Sequence, residues 1–233
     1  MHEMKIDASL QNTIKVLRAV PYFSNLDDAA LNLVAQSACG RVYSAEQVVL
    51  LEGEPCEGLY SVESGWLKVV KIGLDGREQV LQMLKPGDVF NAISVFTDAP
   101  NQATVIAMET SFVWLVRRET LLKMLEDSPS LARQVVKDFA GRVIHLVQMV
   151  EDLSLRSVEA RLARLLLVHV EGESVPRKSW ETQEEIAARL GTVPDVVNRV
   201  LRKLSNEGMI LVERSQIKIL DKEGLKSIAQ VVD

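Results

Sequence analysis

Side chains suited to specific recognition are concentrated between Thr182 and Leu204. This segment reads TQEEIAARLGTVPDVVNRVLRKL, and its apolar spacing around a central glycine is typical of a helix-turn-helix. Ala187 is small enough to let two helices cross closely, and Gly191 suits a turn position that requires a residue without a Cβ. The pattern therefore predicts recognition of a nucleic acid. The alternative is a three-helix bundle with a solvated charged face.

The exposed face of the predicted second helix combines side chains that read bases with side chains that neutralise phosphates. We expect Arg199 to make a bidentate contact with guanine O6 and N7, Asp195 to accept from cytosine N4, and Asn198 to bind adenine or the backbone. Thr192 and Asp195 are predicted to form a capping box ahead of this helix. The full set of predicted DNA-binding residues is Thr182, Gln183, Pro194, Asp195, Asn198, Arg199, Arg202 and Lys203.

No comparable set of residues indicates catalysis or a metal site. The chain has 3 histidines, and it lacks a Ser/His/Asp order, a glycine-rich phosphate loop and zinc-ligand spacing. The acidic pairs are typical of solvated helix faces. We therefore predict no enzymatic activity, no catalytic residue and no metal ligand.

Composition places these residues in a folded protein of about two domains. The chain has 233 residues, of which 47% are hydrophobic, and its net charge is −5. Residues 155–233 hold 13 basic and 12 acidic side chains, a balance of +1, so a polyanion would bind in this part. The sequence begins without a signal-like apolar region and has no apolar run near 18 residues; with 2 cysteines, this favours a reducing cytoplasm and no membrane association.

Residues 41–116 alternate short β-rich runs with turn signals, which is typical of an antiparallel sandwich or barrel. Asp75-Gly76 is a hairpin turn signal within this region. Helices are predicted over residues 10–20 and 27–36. The predicted strands are residues 47–51, 58–62, 66–72, 78–84, 104–107 and 111–116.

A heptad seam beyond Glu119 predicts one long helix. Ile144 and Val147 give this helix a second apolar edge that could pack on the barrel while the seam meets a second copy of the chain. A helix packed only on its own domain is the alternative. The predicted dimer interface is Ala132, Val136, Phe139, Val143, Leu146, Val150 and Leu153.

The helical pattern pauses at residues 153–157, which predicts a hinge, and resumes over residues 158–170. Residues 171–180 read as a loop or short extended link. After Gly208, residues 209–213 and 216–220 are predicted to form a two-stranded wing.

Taken together, the runs LEGEPCEGLYSVESGWLKVVKIGLDGRE, LKPGDVF and LSLRSVEARLARLLL, followed by the helix-turn-helix, resemble the Crp/Fnr superfamily of bacterial transcription regulators. The resemblance implies an α+β fold with an N-terminal antiparallel β-barrel (a jelly roll like the cyclic-nucleotide-binding domain), a long dimerisation helix and a C-terminal winged helix-turn-helix. The implied domains are residues 1–118, 119–155 and 156–233. It also implies a homodimer that binds palindromic double-stranded DNA and contacts RNA polymerase.

Within the recognition helix, the resemblance places Asp195 where the family commonly has Glu and Asn198 where Fnr-like members commonly have Ser. Arg199 falls at a position where both Fnr-like and Crp-like members have arginine. Pro194 stands where Crp-like members have a base-contacting Arg. The implied half-site is therefore closer to an Fnr-like site than to a Crp-like site.

For the effector, the resemblance puts Ala92 at a ribose-binding Glu position and Gln102-Ala103 at the Arg-Ser pair that clamps a cyclic phosphate. Leu146 and Val147 fall at a polar pair that contacts adenine. We therefore predict no response to cyclic AMP, because the phosphate would lack a cationic partner. The predicted effector pocket comprises Phe90, Asn91, Ala92, Gln102, Ala103, Leu146 and Val147.

An Fnr-type iron–sulfur cluster needs four cysteines, and the chain has 2. A short stretch from Phe96 resembles haem-binding, nitric-oxide-responsive members, so haem stays an alternative. Its candidate axial ligands are His2, His145, His169, Cys56 and the methionines. A redox pair of Cys39 and Cys56 and, from another class, a β-barrel binding module without a DNA role are further alternatives.

Overall fold

The computed structural model describes residues 10–229, which divide into two compact units. The first unit comprises the described residues up to Ile72 together with Leu81–Val143. The second comprises Gly73–Val80 together with the described residues from Ile144 onward. No helix within residues 10–229 is long and apolar enough to cross a membrane.

Residues 38–117 form two four-stranded sheets, whose registered strand pairs are antiparallel. One sheet has the order β1 (Ala38–Tyr43), β8 (Ser111–Arg117), β3 (Gly58–Ser64) and β6 (Val89–Phe90). The other has the order β2 (Val48–Leu50), β7 (Thr104–Ala107), β4 (Leu67–Ile72) and β5 (Glu78–Leu84). The predicted all-antiparallel β domain is confirmed.

Apolar residues from both sheets form one buried cluster. Tyr60 on β3 and Phe90 on β6 stack with ring centroids 5.1 Å apart, and Leu67 and Leu84 of the other sheet are fully buried in the same cluster. Large side chains from alternating strand positions therefore fill the space that two sheets of a sandwich enclose.

The six predicted strands all occur, within two residues at each end. β1 and β6 were not predicted as separate strands. β1 contains Gly40, which has low β propensity, and it is ordered by pairing with β8, where Cys39 lies opposite Leu115. β6 has only two residues, too few to show a period of two.

Helices cover one side of the first unit. They are α1 (Leu10–Ala19), α2 (Asp28–Ser37), α3 (Ala92–Thr97) and α4 (Arg118–Asp127). Leu17, Leu31 and Leu121 from α1, α2 and α4 are fully buried and pack with Trp114 of β8. The two predicted N-terminal helices are confirmed as α1 and α2, and the Asp27 carboxylate caps α2 by accepting from the Ala30 amide at 2.8 Å.

The interval 119–155 holds two helices rather than the single long helix predicted. α4 ends at Asp127, and α5 begins at Pro129 and continues to Leu155. The break falls at Ser128, whose φ of −124° and ψ of 95° are extended. Proline disfavours a helical conformation in the residue before it, so Pro129 separates the two helices. The heptad seam lies entirely on α5.

The seam of α5 is partly covered and largely exposed. Phe139 packs on the core of the first unit, with its ring edge-on to Phe96 at 6.0 Å, and is directed to its own unit. Ile144 and Val147, the predicted second apolar edge, are 59% and 63% exposed. Ala132 is half-buried, and the exposed seam residues are Val136, Val143, Leu146, Val150 and Leu153.

The second unit contains α6 (Val158–His169), β9 (Ser174–Pro176), α7 (Gln183–Leu190), α8 (Pro194–Asn206), β10 (Ile210–Val212), β11 (Gln216–Ile219) and α9 (Lys222–Ala229). Its sheet has the order β10-β11-β9. The predicted wing is confirmed as β10 and β11, and part of the predicted link pairs with it as β9. Ser157 caps α6 by accepting from the Ala160 amide at 3.1 Å.

Candidate nucleic-acid interface

The turn between α7 and α8 has the geometry that the sequence predicted. Thr182 caps α7 by accepting from the Glu185 amide at 3.2 Å. Gly191 ends the helix in the left-handed region, with φ of 61°, and its N–H and that of Thr192 both donate to the Ala187 carbonyl. A residue with a Cβ would be strained at this φ, so glycine permits the sharp reversal into α8.

The two helices share a buried core with α6. Ala187 is 2% exposed and Val197 is fully buried, which confirms their predicted roles at the helix crossing. The core residues contributed by α7 and α8 are Ile186, Ala187, Leu190, Val197, Val200, Leu201 and Leu204. This packing fixes which face of α8 is directed outward.

The predicted capping box is wrong. α8 begins at Pro194, its N-cap is Val193, and no side chain caps it. Because proline is favoured at the first helical position and holds the preceding residue extended, the N-cap moves to Val193, one residue after Thr192. Thr192 and Asp195 then no longer occupy the two positions that a capping box requires.

The outward face of α8 brings most of the predicted DNA-binding residues together. Asp195, Arg199, Arg202 and Lys203 are exposed, and Asn198 is half-buried. These five line one open surface depression together with Asn206 and Glu207, which the sequence analysis did not single out. Pro194 is half-buried at the start of the same helix.

The three cations of this depression differ in their surroundings. Arg199 and Arg202 make no hydrogen bond or ion pair with any residue of the 10–229 range. Lys203 is held by Glu159 of α6, whose two carboxylate oxygens lie 2.9 and 2.7 Å from its Nζ. This hydrogen bond raises the pKa of Lys203. Two guanidinium groups are therefore free for an anionic partner, and the ammonium group already has a counter-ion.

Thr182 and Gln183 lie at the start of α7, outside the residues that line the depression. The Thr182 hydroxyl accepts the capping bond and keeps its own proton for donation. The buried Gln183 Oε1 has no hydrogen-bond partner in the described structure. Their predicted role at phosphates is separate from the α8 face.

The wing adds a cation that was not among the predicted site residues. Arg214 is exposed in the turn between β10 and β11 and has no ion-pair partner within the described chain. Next to it, the Glu213 carboxylate accepts from Lys218 Nζ at 2.6 Å and from Gln216, which lowers its pKa. The sequence carried a signal for Arg214, because it is a basic residue at the turn of the predicted wing.

An internal ion pair supports α7. Arg189 Nη1 lies 2.7 Å from Glu181 Oε1, and its Nη2 lies 3.1 Å from His169 Nε2. A guanidinium group only donates, so Nε2 accepts, and Nδ1 carries the proton that is donated to the Leu165 carbonyl at 2.9 Å. Burial lowers the pKa of Arg189. Both nitrogens of His169 are engaged, which leaves neither free as a haem ligand.

The other haem-ligand and redox candidates do not converge. His145 is exposed on α5, and His2 lies outside the described residues. Within residues 10–229 no cluster of His, Cys, Asp and Glu could hold a metal ion.

Cys39 and Cys56 are both free thiols. Cys39 belongs to β1, and Cys56 directly precedes β3. Because β1 and β3 flank β8 on opposite sides, the two strands are separated by two inter-strand spacings, about 9 to 10 Å. A disulfide requires Cα atoms within about 7 Å, so the alternative of a redox pair is not supported. Burial raises the pKa of the Cys56 thiol.

The predicted effector-pocket residues are in different environments. Phe90 and Ala92 are 2% and 1% exposed and belong to buried clusters rather than to an open pocket. The side-chain Nδ2 of Asn91 donates to the Gly58 carbonyl and to Asn101 Oδ1, both at 3.1 Å, and lies 3.3 Å from Cys56 Sγ. The remaining members are outside the core: Gln102 is exposed, Ala103 is half-buried, and Leu146 and Val147 are exposed on α5.

Comparisons with known proteins agree with this architecture. The cyclic nucleotide-binding domain family matches residues 40–128, and the Crp-like helix-turn-helix domain family matches residues 160–228. The chain is 26% identical over 217 residues to the CRP-like cAMP-activated global transcriptional regulator of Mycobacterium tuberculosis, covering 91% of this chain and 97% of that protein. It is 25% identical over 213 residues to the cyclic AMP receptor protein of Thermus thermophilus, covering 91% and 98%.

Among solved structures, a Crp/Fnr-family transcriptional regulator from Eubacterium rectale has the same fold, with a TM-score of 0.75 and 24% identity over 92% of this chain and 100% of that one. The two domain families, in this order, on a chain aligned over nearly its whole length with such regulators, establish its family. The chain belongs to the Crp/Fnr superfamily of transcription regulators.

Proposed function

We propose that this regulator binds palindromic DNA sites as a homodimer in the cytoplasm, has no catalytic activity, and responds to a signal other than cyclic AMP. The observation that carries the DNA-binding role is the outward face of α8. There, Arg199 and Arg202 project free guanidinium groups beside Asp195 and Asn198 in one depression. This combination suits an element that reads base edges and neutralises phosphates in the major groove.

The roles of the individual residues follow from their surroundings. Arg199 is exposed and unpaired, so its planar fork is available for guanine. Asp195, one turn earlier on the helix, can accept from a cytosine amino group. Arg202, on the next turn, and Arg214 on the wing are placed to neutralise phosphates, as are Thr182 and Gln183 at the start of α7.

The test is selection of binding sites from random duplexes, followed by titration of the recovered site. We expect a palindrome, and we expect Arg199→Ala to weaken binding to it about 10- to 100-fold, the loss expected for one bidentate base contact. Arg117→Ala removes an exposed arginine at the end of β8, outside both α8 and the proposed dimer seam, and serves as the matched control. Undiminished sequence-specific binding by Arg199→Ala would refute the assigned role.

The homodimer is supported by the uncovered apolar surface of α5. Val136, Val143 and Val150 are 67%, 59% and 63% exposed on a single chain, at heptad positions. Apolar residues at this spacing stabilise a helix pair when a second copy covers them. Two copies related by a two-fold axis would present two α8 helices to successive major grooves. A contact with RNA polymerase belongs to the same proposal by family resemblance.

The proposed signal is not cyclic AMP, although the two similar regulators named above carry cyclic AMP in their names. The segment from Asn91 to Ala103 contains no lysine, arginine or histidine. Asn101 is 3% exposed and donates to the Leu51 carbonyl, and its Oδ1 accepts from Asn91. A cyclic phosphate here would have no cation within the segment. We expect calorimetry with micromolar cyclic AMP to show no saturable heat, and saturable binding would contradict the proposal.

Haem-based sensing is the second candidate, supported only by the sequence resemblance around Phe96. A Soret band at one haem per chain, after expression with iron and haem precursor, would favour it.

A further inference from the structure

Val193 is poorly suited to its place at the start of α8. It is the N-cap residue, a position that favours Ser, Thr, Asp or Asn, whose side chains can accept from the first helical amides. The Val193 carbonyl accepts from the Val196 amide at 3.0 Å, but its side chain can accept from none. Thr192 has a suitable side chain and lies one residue too early. Helix capping therefore does not explain a valine here.

Burial does not explain it either. Val193 is 41% exposed and is not among the buried residues of the second unit. It directly precedes the first turn of α8, in which Asp195 is also exposed. A residue that weakens a local element and stays outside the buried core is a candidate functional position.

The chemistry of the major groove indicates what an exposed isopropyl group could contact. The base edges present hydrogen-bond donors and acceptors, and their one apolar group is the C5 methyl of thymine. Valine cannot hydrogen-bond to a base, but it can pack on a methyl group. We infer that Val193 contacts a thymine methyl in each half-site, beside the base that Arg199 reads. This inference rests on the proposed DNA-binding function.

The experiment replaces each thymine of the selected palindrome in turn by deoxyuridine, which pairs identically and lacks only the methyl group. Binding of the full chain is then measured by fluorescence anisotropy. We expect one position per half-site at which deoxyuridine weakens wild-type binding about fourfold, the effect of one methyl group withdrawn from water. Val193→Ser should bind the unmodified site more weakly by a similar factor and should be insensitive to deoxyuridine at that position.

Folding is controlled separately. Serine is a good N-cap residue, so Val193→Ser should unfold at a higher temperature than the wild type, which separates lost contact from lost structure. Val193→Ala, which adds no cap, should show the same insensitivity. Val168→Ser alters a valine that is 71% exposed on α6 and should retain the wild-type pattern.

The inference is overturned if no thymine position is sensitive, or if both Val193 variants keep the wild-type sensitivity. Failure of the proposed function has a different outcome, because then the wild type would recover no preferred sequence, or Arg199→Ala would bind the palindrome as tightly as the wild type.

Discussion

Arg199 and Lys203 lie four residues apart on the outward face of α8, and their surroundings give them different capacities to bind DNA. Arg199 is unpaired, whereas the Lys203 ammonium is bound by both oxygens of Glu159. A lysine with a protein counter-ion releases fewer counter-ions from DNA than a free one, because its charge is already compensated. We therefore expect Glu159 to reduce the electrostatic part of DNA binding.

Glu159→Gln should free Lys203 for a phosphate. We expect tighter DNA binding at low salt, with the slope of log K against log salt steeper by about 0.9, the amount for one additional phosphate contact. Glu223→Gln breaks the exposed Glu223–Lys226 pair of α9 and controls for the change in net charge. The gain should disappear in the Glu159→Gln/Lys203→Ala double variant; a gain that persists there would show that Lys203 is not its source.

At the residue scale, the sequence predicted which side chains face outward on α8 but not how they pair. The spacing of apolar residues around Ala187 and Gly191 is a local pattern, and it was enough to predict which face of α8 is exposed. Glu159 lies 44 residues from Lys203, so no local pattern could show that pair. The capping error arose because Thr192 fits the capping box by residue type, whereas Pro194 determines where the helix begins.

At the scale of elements, the first half of α5 is fixed to the first unit by a partly buried polar network. The Tyr22 hydroxyl donates to Asp138 Oδ2 at 2.6 Å, and Arg142 Nε donates to the same oxygen at 2.6 Å. Arg142 Nη2 also donates to the Val89 carbonyl at 2.7 Å. These bonds connect α5 to the segment after α1 and to β6, so they fix the side of α5 that faces its own unit.

Tyr22→Phe should destabilise the protein by about 1.5 to 3 kcal/mol, the usual contribution of a hydrogen bond to a charged group. Burial, and then the hydrogen bond to Asp138, raise the pKa of Tyr22. The stabilisation that the Tyr22 hydroxyl provides is complete below about pH 10. It decreases as pH rises further, because Tyr22 then loses its phenolic proton more readily in the unfolded chain than in the folded one.

Urea denaturation between about pH 9 and 11 measures this effect. The difference in stability between wild type and Tyr22→Phe should shrink as pH rises. A difference that stays constant across this range would contradict the assigned role of the Tyr22 hydroxyl.

Helices and strands were predictable from the sequence where their apolar periodicity extended over enough residues. The seam of α5 and the alternation of β3 to β5 and of β8 extend over several residues, and these elements occur as predicted. β6 has two residues and β9 has three, and both depend on pairing with strands distant in the sequence. The break at Ser128 was signalled by Pro129, but the apolar pattern on both sides concealed it.

At the scale of the whole molecule, the proposed mode of DNA binding requires two copies of the chain acting together. The exposed fractions of Val136, Val143 and Val150 are those of residues that a partner helix would cover. A monomer would present one recognition helix to one half-site. A dimer presents two at a fixed separation of about one turn of DNA, so the spacing of the half-sites should matter as much as their sequence.

The most direct measurement is the affinity of the full chain for the selected palindrome, compared with the same palindrome carrying about five additional base pairs, half a helical turn, between its half-sites. We expect two chains per duplex on the original site. We also expect binding to the lengthened site to fall to the level of a single half-site, because the insertion moves one half-site to the opposite side of the helix. Equal affinity for the two duplexes, or one chain per palindrome, would contradict recognition by a homodimer.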